Sequence, residues 1–130
     1  MPFDLNERYV AEAEAKLGAV LPASYRSAMM VANGGEIAVG AEDWFLYPIL
    51  DQSDKRRIAR TCNDIVAETK TQAEQANFPS HAVALGNNGA GDQLLFLRAG
   101  DAFEPSVYVW SHETGELTRV VVDFGRLERL

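Results

Sequence analysis

The residues of this chain with chemistry to offer are two histidines, one cysteine, two acid pairs, a glycine-rich stretch and a run of three bases. Cys62 is the only cysteine, so no intramolecular disulfide forms and the usual cysteine spacings of zinc sites cannot be written. It falls on the apolar stripe of a predicted helix, where a thiol packs in the core and is a poor nucleophile. His112-Glu113 lacks the second histidine one turn later that a metalloprotease helix supplies, and His112 reads as a solvated imidazole on a hairpin shoulder. The stretch 86–92, with Gly86, Gly89 and Gly91, invites a phosphate-cradle reading. No Gly-Lys-Ser/Thr follows it, Gly-x-Gly-x-x-Gly is not matched, and the next residues read as a strand rather than a helix N-terminus. It is a tight turn in which Asp92 hydrogen-bonds loop amides.

Acid pairs work as general acid and base only when burial splits their pKa values. Glu42-Asp43 lies in a predicted loop and Glu12 and Glu14 on an acid-rich helix, so both read as solvated carboxylates. Lys55-Arg56-Arg57 opens a predicted helix, the end at which the macrodipole disfavours cations, so acids elsewhere or a partner must hold it. The aromatic set Trp44, Tyr47, Tyr108 and Trp110 reads as core rather than as a ligand platform. No catalytic set converges, and the expectation is a protein without enzymatic activity, metal or cofactor.

The elements that position these residues follow from periodicity. Leu5, Tyr9, Val10, Ala13 and Leu17 predict a helix over 5–17, capped by Asp4 and stopped by Gly18. Pro22 opens a second helix over 22–32, and a short connection makes the two pack together. A strand follows over 44–47, ending at Pro48. Ile58, Cys62, Ile65, Val66, Thr69, Ala73 and Ala76 trace one stripe and predict a long helix over 54–76 with Ser53 as its cap. The period then changes to two: 81–85, 93–97, 107–110 and 117–121 are short strands linked by turns. Asp123 caps a closing helix carrying Phe124, Leu127 and Leu130. The expected architecture is α+β, a mostly antiparallel sheet with helices covering one face, in a single domain over 1–130.

The chain has 130 residues, 47% of them apolar, and a formal charge of −7. That length supplies a core without disulfide or metal staples. Residues 1–51 carry −5, 52–77 carry +1 and 78–130 carry −3, so the acids concentrate in the first helices, the loop after them and the hairpin turns. Such a balance disfavours direct binding to nucleic acid or to an anionic membrane. With no basic leader and no long apolar run, the chain is expected to be soluble and cytoplasmic.

Leu17-Gly18-x-x-Leu21-Pro22-x-x-Tyr25 followed by Asn33-Gly34-Gly35 resembles the start of the SUKH superfamily, which includes the yeast cell-wall assembly regulator and many bacterial toxin-immunity proteins. Trp44-Phe45-Leu46-Tyr47 looks like that family's first sheet strand, and the stretch from Ala84 to Asp92 is similar to its glycine-aspartate hairpin. The run from Val107 to Glu113 looks like the next strand and turn, and Asp123-Phe124-Gly125-Arg126-Leu127 resembles its closing helix. Ala90 is a departure, standing where many members carry another glycine.

The resemblance implies a SUKH-like α+β domain and, for most bacterial members, an immunity role: binding a toxin, often a nuclease, and blocking it. A regulatory or scaffold module of the cell-wall regulator type is the alternative. A nuclease presents a basic cleft, which an acidic domain can find electrostatically and occlude. The expected partner is therefore a basic toxin domain. The contact candidates are the loop from Glu36 through Glu42 and Asp43, Trp44 beside it, and the turn around Asp92.

Overall fold

Asn6 rather than Asp4 starts the first helix in the computed structural model, which describes residues 2–130. Its side-chain Oδ1 accepts from the Arg8 N–H at 2.9 Å, and Leu5 stays outside with its N–H donated to the Met30 carbonyl. The helix, α1 (Glu7–Leu17), ends at Gly18 as expected. The second, α2 (Ala23–Val31), follows Pro22. Glu14 ties the connection down, accepting from the Leu21 N–H at 2.7 Å and from Arg26 Nε at 3.2 Å.

The predicted long helix is two helices, α3 (Lys55–Thr61) and α4 (Ile65–Gln72). Asp54, not Ser53, caps α3. Asp64 then restarts the chain, its Oδ1 accepting from the N–H groups of Val66 and Ala67. A side-chain acceptor at this position competes with helix continuation. The break keeps Ile65 buried but leaves Cys62 exposed, which corrects its assignment to the core. Two of the three bases at the start of α3, Arg56 and Arg57, are held from within the chain. Arg57 pairs with Asp51 at 3.0 Å and Asp4 at 2.9 Å, and the guanidinium groups of Arg56, Arg57 and Arg60 all lie over the Phe3 ring.

The strands are β1 (Gly35–Val39), β2 (Glu42–Leu46), β3 (Ala82–Asn87), β4 (Gln93–Ala99), β5 (Ala102–Phe103), β6 (Val107–Trp110), β7 (Leu117–Val121) and β8 (Glu128–Arg129). They run antiparallel in the order β7-β6-β4-β3-β2-β1-β8, with β5 paired to β4. Two expectations change here. The loop predicted from Glu36 to Asp43 is a hairpin, because Glu36-Ile37-Ala38-Val39 pairs with β2. The closing helix is a single 3-10 turn, Phe124–Arg126, capped by Asp123, after which the chain pairs as β8 with β1. Gly125 is a poor helix former, and the edge of β1 offers hydrogen bonds that a further helical turn would forgo.

Phe96 of β4 sits at the centre of the core. Its ring meets Tyr25 of α2 and Phe124 edge-on at centroid distances of 5.2 and 6.2 Å, and those two rings meet at 5.0 Å. Such pairs add about 1 kcal/mol each beyond the area they bury. By alternation Leu95 points to the other face, yet both are wholly buried, so the middle of the sheet is covered on two sides rather than one. The second cover comes from the stretch after α4, where Phe78 meets Trp110 at 5.2 Å and the Asn77 carbonyl accepts the indole N–H. α4 itself lies against β3, with Thr69 Oγ1 accepting the Ala84 N–H.

Candidate functional site

One row of residues crosses five strands: Phe45 pairs with Asn87, Asn87 with Gln93, Gln93 with Trp110 and Trp110 with Leu117. Antiparallel order fixes what lies beyond that row. The turns that join β1 to β2, β3 to β4 and β6 to β7 all leave the sheet on the same side. Together with the strand starts beside them they carry Glu42, Asp43, Asp92, Glu113 and Glu116, and no lysine or arginine. Glu42, Asp43, Glu113 and Glu116 are exposed, and among the described residues none of their carboxylates accepts a hydrogen bond or forms an ion pair. This end of the sheet is a concentrated negative surface, open to a positive partner.

The turns are not independent. Asp92 Oδ1 accepts both the ring Nδ1–H of His112, at 2.8 Å, and the His112 main-chain N–H, at 3.2 Å, while Oδ2 accepts from Asn88 Nδ2 at 3.2 Å. Burial alone would raise the Asp92 carboxyl, but these donors outweigh it and hold it below the ordinary 3.8. Gly91, at φ +101°, lies flat beneath the ring, where a Cβ would come within 3.0 Å of Nδ1. His112 is therefore a clasp between two turns and not the free imidazole expected from the sequence. Among the described residues no serine, threonine or cysteine side chain hydrogen-bonds to it.

Of the sequence-predicted contacts, Glu42, Asp43 and Asp92 come together at this end. Glu36 stands in the row itself, directly across from Phe45. Trp44 is corrected: it pairs with Ile37 on the inner face and is only 2% exposed, so its ring packs in the core and no partner reaches it. Strand alternation puts the neighbouring Phe45 outside. Phe45 is 50% exposed and shares its face with Glu36 and Asp43, an aromatic ring set among acids. Sequence reasoning passed it over. The signal was available in the two-residue period that buries Trp44 and Leu46 together.

The family model described as SMI1 / KNR4 family (SUKH-1) matches residues 4–127. The chain belongs to the SMI1 / KNR4 family. No individually curated protein matches it. In this SUKH-1 member the Asn33-Gly34-Gly35 motif has a physical role. The buried Asn33 amide donates to the Ile49 carbonyl and accepts the Ile49 N–H, both at 2.8 Å, as a neighbouring strand would. SUKH-1 membership supports a protein-interaction or immunity-type role. No helix among the described residues is long and apolar enough to cross a membrane.

Proposed function

We propose that this SUKH-1 domain is a non-enzymatic, immunity-type inhibitor that binds a basic toxin domain, a nuclease being the class its charge suits best. The observation that carries the reading is the placement of Glu42, Asp43, Glu113 and Glu116 at the same end of the sheet, with exposed Phe45 on β2. A nuclease holds a phosphate backbone in a cationic cleft, and an anionic protein surface competes for that cleft. Charge of this kind raises the rate of encounter, whereas a buried aromatic anchor slows dissociation. Phe45, ringed by Glu36 and Asp43, supplies such an anchor. The proposed role needs no reaction and no cofactor.

The test is to express the domain with the product of the adjacent reading frame. Protection of cells from that product, together with co-purification, is the expected result. Co-purification with a product that harms no cell would favour a regulatory or scaffold module instead, and absence of both would overturn the binding assignment to that neighbour.

A further inference from the structure

At the end of the sheet opposite the acidic turns, a cavity of about 220 Å³ is lined by residues that include Lys16, Lys70, Arg98, His81, Thr69 and Ser80. We propose that it is a binding site for a small phosphorylated molecule, with the phosphate held among Lys16, Lys70 and Arg98. The lining has donors and no carboxylate. In a chain with a net charge of −7, three bases around one hollow run against the overall balance. Among the described residues neither lysine nor Arg98 forms an ion pair, whereas Arg26 and Arg57 each pair with acids. Lys16 and Lys70 occupy the last turns of α1 and α4, where a cation also complements the helix dipole. The dipole accounts for each lysine singly but not for their meeting with Arg98 and His81 in one concavity.

Arg98 is held in place from the protein side. Its Nε donates to the Gly100 carbonyl at 2.6 Å and its Nη1 to the Leu17 carbonyl at 3.1 Å. That leaves Nη2 for a ligand, on a guanidinium whose position is already fixed. Thr69 Oγ1 accepts the Ala84 N–H and so keeps its own O–H to donate. The acids nearest to these residues along the chain, Glu14, Glu68, Asp101 and Glu104, all lie outside the lining. A second cavity of about 430 Å³, lined by His81, Arg98 and Gly100, shares two residues with the first and gives the rest of the molecule somewhere to lie.

The experiment is a titration of the full chain with inorganic phosphate, pyrophosphate and AMP at neutral pH, followed by calorimetry and by the His81 ring resonances. Saturable binding of pyrophosphate or AMP is expected, weakened by added salt and weakened about tenfold or more in Lys70→Gln or Lys16→Gln. These surface changes spare Arg98, whose hydrogen bonds support the fold. Lys55→Gln, on α3 and outside the cavity, is expected to bind as the parent does. Absence of saturable binding, or equal loss in Lys55→Gln, would overturn the site. Self-association of the chain that depends on Lys16 and Lys70 and is unmoved by pyrophosphate would assign the cavity to the acidic end of another copy and overturn the small-ligand proposal. None of these outcomes depends on a toxin partner.

Discussion

Asp92 and His112 join two turns that are 20 residues apart, through a 2.8 Å contact from ring to carboxylate and a 3.2 Å contact from main chain to the same oxygen. The clasp lies at the end of the sheet that carries the acidic turns, so it fixes the spacing of the negative surface as well as contributing stability. His112 packs on Gly91, which leaves the ring little room to turn away.

Asp92→Asn keeps the shape of the clasp and removes its charge. Because the folded-state pKa of Asp92 lies below its ordinary 3.8, the carboxylate contributes stability in full above about that pH and loses it as the pH falls through the lower folded value. The variant is expected to be less stable than the parent by about 1 kcal/mol at pH 7, with the difference disappearing toward pH 2. Chemical denaturation at a series of pH values checks this; an equal difference at pH 7 and pH 2.5 would remove the charge from the explanation.

Gly86 lies where β2 and β3 meet, and a Cβ there would run into the Phe45 carbonyl oxygen. A backbone atom cannot swing aside as a side chain can, so the strands must part. Gly86→Ala is expected to cost about 2 kcal/mol and to expose β2 amides to hydrogen exchange first. Gly89→Ala meets nothing within 4 Å and strains the backbone only through its φ of +83°, so its cost is expected to be smaller and its exchange pattern unchanged across β2.

Phe45 and Trp44 are adjacent in sequence and opposite in role. Phe45→Ala is expected to leave the melting temperature within a few degrees of the parent and to weaken a partner complex by about 2 kcal/mol, felt mainly in the dissociation rate. Trp44→Ala empties a core position and is expected to cost about 3–5 kcal/mol of stability. Thermal melts and dissociation rates on the same two variants separate the cases. Loss of stability in the first, or its retention in the second, would show that the faces have been exchanged.

Much of this fold is legible where local chemistry and tertiary packing agree. Gly18 stops α1, Asp123 caps the turn after it, and the hairpins from Ala82 to Val121 follow their turn residues. Legibility fails where two signals compete. The apolar stripe from Ile58 to Ala76 reads as one helix, but Asn63-Asp64 offers a helix start in its middle and the local cap wins, which keeps Ile65 buried and leaves Ile58, Cys62, Ala73 and Ala76 exposed. β1 opens on Gly35 and is flanked by Gly34 and Gly40, so the short run Glu36-Ile37-Ala38-Val39 looks like loop until β2 and β8 pair with it from either side. The site is legible in its charge and not in its faces. Acids in turns are visible in the sequence, whereas their gathering at one end depends on strand order. That Trp44 points inward and Phe45 outward depends on which face α2 covers.

The most direct measurement is the association rate of the domain with the basic product of the neighbouring reading frame across a range of ionic strength. It compares the parent with the combined Glu42→Gln, Asp43→Asn, Glu113→Gln and Glu116→Gln variant, whose four side chains hold nothing together inside the fold. The expected result is a parent rate that falls steeply with salt, and a variant rate at least about tenfold slower at low salt and nearly independent of it. Superimposable rates for the two proteins at every salt concentration would contradict the acidic end of the sheet as the surface that finds the partner.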